Sequence, residues 1–412
     1  MDIVKSSLRR IDAAIRTIKN LKDSEFPYSH SEKALLEVER IFKETHRALF
    51  KARDSTDQTL KKDTCEEALK RLFIYIPLLG FILRSTNVRN AFEIHGPLLR
   101  LSQSLLGNDA KLVLSSEWDY SPMTYPGVPQ MKSFILIGFP ATESSNPFLI
   151  PLAGHELGHN LWLKHGMESR VKVIVTQLIQ DEIQKNRWDK FKDLYKIKEL
   201  EQSKFWGDLF NKEIIGPATV WATLQAEETF CDLVGLRIFG SSFLHAFVYL
   251  LSPGQRSRHV AYPSSNRRIT NLLDAARKWK LKVPAEYRNV FQQDDQGRFI
   301  EKDNFQLDLA EFAVAKLVPH LRATANQLVT AAKLKSTDPK AVQEIRERIG
   351  LTVPAENAKS LASILEAGWD ANLDETLWRD FDHLDVDSKY ENLMEIVLKS
   401  IEALEIQSRT KG

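Results

Sequence analysis

Gly154-His155-Glu156-Leu157-Gly158-His159-Asn160 carries an H-E-x-x-H pattern inside a segment that reads as a helix. Histidines four apart on a helix sit ~40° apart round the axis and one turn apart along it. Their imidazoles can therefore converge on one ion, and zinc accepts such nitrogen ligands. Glu156, beside the first histidine, is then placed to act as general base on a water activated by that ion. Gly158 costs roughly 1 kcal/mol of helix propensity relative to Ala. That makes sense where another backbone or the ion approaches closely, or simply where packing is tight. The pattern predicts half of a metal site.

A catalytic zinc takes three protein ligands and keeps one position open. Two residues compete for the third place. His165 would complete H-E-x-x-H-x-x-W-x-x-H, close to the metzincin spacing, but metzincins have Gly where this chain has Trp162. With the helix continuing through Trp162, His165 lies ~240° round from His159 and points away from the ion. The other candidate is Glu228, in Gln225-Ala226-Glu227-Glu228-Thr229-Phe230-Cys231-Asp232. Glu228 and Asp232, four apart on a predicted helix, face the same way. Glu228 would bind through a carboxylate oxygen, and Asp232 would accept the second ring N–H of a ligand histidine, fixing its tautomer and orientation. The plainer reading makes Glu227 and Glu228 a solvated helix edge. Among apolar neighbours, however, unpaired carboxylates are costly to bury.

With His155, Glu156 and His159 on one helix and Glu228-x-x-x-Asp232 on the next, the chain resembles the gluzincin clan of zinc metallopeptidases. Tyr262-Pro263-Ser264-Ser265-Asn266-Arg267-Arg268-Ile269 is similar to the His-Pro-x-x-x-x-Arg-Ile segment of that clan's prenyl-protein and heat-shock membrane proteases. Tyr262 stands where that group has His, and the group's transmembrane helices are missing. The resemblance spans roughly residues 133–273. It implies that Tyr262, or His259 beside it, donates a hydrogen bond to the oxyanion of the tetrahedral intermediate; a Tyr packed on a turn proline is the alternative. Arg268 reads equally as a structural ion-pair partner. His95, His245, His320 and His383 are scattered and read as structural or surface residues.

The composition is that of a soluble globular protein. Of 412 residues, 43% are hydrophobic and 27% charged, with a formal net charge of +2. That balance gives no reason to expect nucleic acid or an acidic membrane as partner. The segment from Met1 to Ser7 lacks the apolar core of a signal peptide. The longest apolar run, Phe73 to Leu83, is 11 residues and too short to span a bilayer. Cys65 and Cys231 make no disulfide framework, so a cytoplasmic location is the expectation.

Periodicity organises the rest of the chain. Val4, Leu8, Ile11, Ile15 and Ile18 give one helical face, and Ser31 to Lys51 repeats the pattern. Thr64-Cys65-Glu66-Glu67 has capping-box spacing before another helix. Lys111 to Ser115 and Ser133 to Gly138 read as strands flanking a proline-rich loop or hairpin. Such a sheet before the motif offers an edge strand to hold extended substrate. Asn146-Pro147 reads as the start of the motif helix, Gly166 as its end, and Val171 to Gln202 as one long helix. Helices are also expected from Pro217 to Phe239, from Ser242 to Leu251, from Ser264 and after Asp338-Pro339.

The expected fold is therefore α+β, mostly α-helical, with a zincin-like core and small sheet. The domains are drawn at 1–105 (helical), 106–283 (peptidase, with a helical insertion about 167–215) and 284–412 (helical). The expected activity is hydrolysis of peptide bonds by a zinc-activated water, with narrow specificity for a cytoplasmic protein or peptide and one Zn²⁺ per chain. A catalytically silent, zinc-stabilised scaffold or partner-binding module is the alternative.

Overall fold

The structure, a computed structural model, describes residues 2–88, 91–197, 213–252, 258–285, 287–291, 299–334, 337–374, 376–377 and 384–410. It is mostly helical with one small three-stranded sheet. The chain falls into two compact units. The first comprises Met1–Gln103, Gly107–Pro147 and Glu405–Gly412, and the second Ser104–Leu106 and Phe148–Leu404. The expected boundary at 105/106 thus parts residues that pack together, because the sheet shares a core with the N-terminal helices.

That first unit contains α1 (Ile3–Leu21), α2 (Ser29–Arg53), α3 (Gln58–Arg84) and most of α4 (Ala91–Leu106). Val4, Ile11 and Ile18 are buried, while Leu8 and Ile15 pack at the margin of the same core. α3 starts earlier than its capping-box spacing suggests. Asp57 is the cap, accepting from the backbone N–H groups of Thr59 at 2.8 Å and Leu60 at 3.1 Å. Thr64 lies inside the helix, its hydroxyl bonded back to the Leu60 carbonyl at 2.7 Å. An interior threonine can do this as readily as a cap can bond forward.

Strands β1 (Lys111–Glu117) and β3 (Phe134–Pro140) pair in parallel, Lys111 opposite Phe134, and β2 (Met123–Thr124) adds antiparallel to β3. β3 is therefore the central strand, buried along its whole length; the proline-rich stretch carries β2 back onto β3 as an antiparallel neighbour, while β1 and β3 themselves run parallel. Phe134 and Leu136 join Ile11, Phe42, Leu78 and Val113 in one apolar cluster.

In the second unit, Pro147–Leu152 forms a 3₁₀ stretch, and α5 (Ala153–Lys164) begins after it. Pro147 thus opens a tighter turn and not the motif helix itself. α5 ends at Gly166, whose φ of 57° is left-handed, a conformation glycine adopts without a Cβ penalty. The long helix expected from Val171 is broken. α6 (Met167–Glu182) passes through a π turn, Ile183–Arg187, into α7 (Trp188–Tyr195). Buried Glu182 sits at the break, accepting from Arg187 at 2.9 Å and Asn186 at 2.7 Å. Residues 198–202 of that expected helix lie outside the described residues.

α8 (Gly216–Phe239) is the frame of this unit, flanked by α5, α6, α9 (Ser241–Leu251), α10 (Ser265–Lys278) and α11 (Glu301–Ala331). Gln306 of α11 caps its start, accepting from the Ala218 N–H at 3.2 Å and donating to the Ile214 carbonyl at 2.8 Å. α12 (Pro339–Gly350), capped by Asp338, packs on α13 (Leu361–Asn372), and α14 (Val386–Thr410) follows. Among the described residues no helix is long and apolar enough to cross a membrane.

His95 and His245 are structural, one in each unit. His95 stacks on Tyr28 and its Nε2–H donates to the Leu112 carbonyl at 3.1 Å; His245 stacks on Trp369. His320 is exposed, and His383 lies outside the described residues. Burial pushes both His95 and His245 down to about 4 from an ordinary 6.5. A depressed histidine pKa means the fold resists the proton. Its stabilisation is complete above pH 6.5 and is lost as pH falls towards 4, up to about 3 kcal/mol per ring. His95→Gln, which keeps a donor for Leu112, should lessen the fall in unfolding free energy between pH 7.5 and 5, as measured by urea denaturation. An unchanged pH dependence would contradict this assignment.

Candidate functional site

The site is built where α5 crosses α8, and two glycines set how closely they approach. A Cβ at Gly158 would lie 2.7 Å from the Cys231 Cα, and one at Gly154 would lie 2.9 Å from the Gly235 Cα. Backbone approach, one of the reasons expected for glycine here, is thus what Gly158 provides. The helices run antiparallel: as the numbers rise along α5 they fall along α8, with 154 against 235, 155 against 232, 158 against 231 and 159 against 227.

This approach brings the two imidazoles onto a set of carboxylates. His155 Nδ1 lies 2.9 Å from Asp232 Oδ1, and His159 Nδ1 lies 2.8 Å from Glu227 Oε1. With Nδ1 tied in each ring, Nε2 faces Glu228: His155 Nε2 is 3.3 Å from one carboxylate oxygen and His159 Nε2 is 3.7 Å from the other. The Glu228 Oε2 atom is buried and makes no aligned hydrogen bond. Glu227 was not assigned a role by sequence. Its position ~100° round from Glu228 suggests a wet edge until the line of α5 is known.

Asp232 is itself held from the far side. Arg268 of α10 donates two hydrogen bonds to it, at 2.8 and 2.7 Å, and its guanidinium also lies 4.9 Å from the Phe247 ring centroid. Burial would raise the Asp232 pKa, but Arg268 and then His155 outweigh it and hold the carboxyl at about 2. Burial likewise disfavours a proton on His155, yet the Asp232 and Glu228 carboxylates raise it to about 10. Glu228 is lowered below the ordinary carboxylate range: burial pushes it up, and His155, Arg268 and His159 pull it down further. Glu156, only 6% exposed, goes the other way, raised chiefly by burial. Two carboxylates of one cluster thus have their affinities for protons pushed apart.

Two side chains offer a third donor beside the histidines. The donor atoms of His155, His159 and Cys231 lie within 4.8 Å of one another. Burial, however, drives the Cys231 thiol well above its usual pKa, and its sulfur packs against Gly158. Glu228 has its proton affinity lowered, and its Oε2 makes no aligned hydrogen bond. Two imidazole nitrogens with a carboxylate oxygen form a donor set suited to a borderline divalent ion such as zinc. His165 takes no part. It is exposed beyond the end of α5, while Trp162 is buried against Phe230.

The segment holding His259 and Tyr262 is pinned on two sides. Arg258 pairs with Asp308 and Glu311 of α11 at 3.0 and 2.9 Å, and Gln225 of α8 donates to the Val260 carbonyl at 3.3 Å. The Tyr262 phenol is 47% exposed and is held above its usual pKa first by the negative charge of Glu228, then by burial. It therefore stands within electrostatic reach of the cluster as a protonated donor. His259 is exposed, its Nδ1 accepting from the Ala261 N–H at 3.1 Å and its ring 5.2 Å from that of Tyr262.

Gly158→Ala gains about 1 kcal/mol of helix propensity but forces a methyl into backbone, a change that costs typically 1–3 kcal/mol. The clash wins, and the thermal midpoint should fall. Gly216→Ala, whose added Cβ meets nothing within 4 Å, should leave the midpoint unchanged or higher. Equal behaviour of the two variants would argue against the close helix contact. No family model, curated protein or solved structure matches the chain.

Proposed function

We propose that this chain is a zinc-dependent metallopeptidase, with His155, His159 and Glu228 as metal ligands and Glu156 as general base. Its substrate on this reading is a cytoplasmic protein or peptide. The observation that carries the reading is the convergence of both Nε2 atoms on the Glu228 carboxylate, whose buried Oε2 makes no aligned hydrogen bond. That oxygen lies 3.3 Å from His155 Nε2 without an aligned hydrogen bond, and a buried oxygen left short of hydrogen bonds is costly. Orientation of each ring by its own carboxylate is the support a metal-bound histidine ordinarily receives.

Bound zinc would supply Lewis-acid polarisation of a scissile carbonyl and of water. The chain's own residues do the remainder. Glu156, buried and with raised proton affinity, takes a proton from the attacking water and delivers it to the leaving amine. Asp232 fixes the His155 tautomer with Nδ1 protonated, and Arg268 keeps Asp232 ionised while it does so. Tyr262 donates to the developing oxyanion, with His259 as the neighbouring donor.

Purified protein should hold about one zinc per chain by elemental analysis. Glu228→Ala should lose it and Cys231→Ala should keep it. Glu156→Gln should retain the metal and cleave no substrate in a comparison of cellular protein fragments with wild type. Full activity in Glu156→Gln, or zinc that depends on Cys231 and not on Glu228, would overturn the reading.

A further inference from the structure

Among the described residues, the face of α8 that α5 covers at Cys231 and Gly235 continues uncovered towards the start of the helix. From Pro217 to Glu228, every residue of α8 that is not buried belongs to one stripe: Pro217, Val220, Trp221, Leu224, Glu227 and Glu228. At ~100° per residue these fall within an arc of about 120°, the same arc that holds Cys231 and Gly235. Val220 is 49% exposed and Leu224 is 39% exposed. The open stripe of a helix is ordinarily polar. This one is apolar until it meets the two carboxylates beside the motif histidines.

Its dimensions match an extended chain. Leu224 and Val220 are each one turn further from Glu228, a step of ~6 Å along the axis. In an extended peptide, side chains on the same side recur every second residue, at ~6.6 Å. A peptide laid along α8 from the His155–Glu228 cluster therefore sets alternate side chains over Leu224 and Val220. Its next side chains turn outward.

We propose that this stripe is the substrate groove, and that it takes an extended peptide with apolar side chains at alternating positions on one side of the cleaved bond. The proposal rests on the metallopeptidase reading for the cleavage, but the groove is a binding surface in its own right.

The test uses full-length, zinc-loaded protein and a degenerate peptide library, with cut sites mapped by mass spectrometry. Alongside it, the Glu156→Gln protein is probed on an array of hexapeptides in which apolar and polar residues alternate. Cuts should be flanked by Leu, Ile, Val or Phe two residues apart. Leu224→Asp or Val220→Asp should lower kcat/KM for such peptides about tenfold or more, with zinc content and circular dichroism unchanged. Val173→Asp, on exposed α6 surface, should alter neither cleavage nor binding. Cleavage without this preference, or a preference that survives both α8 substitutions, overturns the groove and leaves the peptidase standing. Array binding that Leu224→Asp abolishes, with no cleavage by wild type, supports the groove and sinks the peptidase. Absence of both cleavage and binding overturns both.

Discussion

The pairing of Arg268 with Asp232 is the constraint on which the rest of the site depends. Asp232 is buried and Arg268 largely so, and ions removed from water are tolerable only when closely paired. The bidentate geometry leaves one carboxylate oxygen shared with His155. Three helices are tied through one side chain: α10 supplies the guanidinium, α8 the carboxylate and α5 the imidazole. A slip of any of them along its axis would leave a charge buried without its partner. The ion pair thereby fixes registry, whatever its net contribution to stability.

Packing provides the second condition. α8 can serve as a frame because it is buried on nearly every side over its second half, with small residues where another helix must come close. Gly154 and Gly158 on α5 meet Gly235 and Cys231 on α8, so side chains as short as Asp232 reach across. With larger residues at these contacts the imidazoles would stand too far from Glu227 and Asp232 to be oriented. The helix-weakening glycine inside the motif is thus explained by the geometry of the crossing.

Much of this was legible in the sequence, and what was missed has physical reasons. The spacing of four in His155/His159 and again in Glu228/Asp232 fixes which side chains share a face, so their meeting follows once the two helices pack. Glu227 could not be read the same way, because its usefulness depends on where the axis of α5 crosses. The strands were readable from their branched and aromatic side chains. Their parallel pairing was not, since register and direction are set by tertiary contacts. Thr64 and Asp57 show the limit of capping rules: both have the required oxygen, and only the extent of the helix decides which one caps. The break after Glu182 lies in a continuous helical pattern, where a buried carboxylate drawing in Arg187 leaves no periodicity signal.

The halves of the site are far apart along the chain. The His155–Asp232 and His159–Glu227 contacts span 77 and 68 residues. Contacts so distant in sequence are slow to form, because a large loop must close before they repay its entropy. On the ribosome, the H-E-x-x-H helix emerges well before the carboxylates that orient it. A nascent or truncated chain ending before α8 contains the whole motif yet has no assembled cluster. Arg268 comes later still, so the ion pair that fixes registry closes only after the other two helices have been made. The order of synthesis thus keeps an incomplete chain from presenting a finished site.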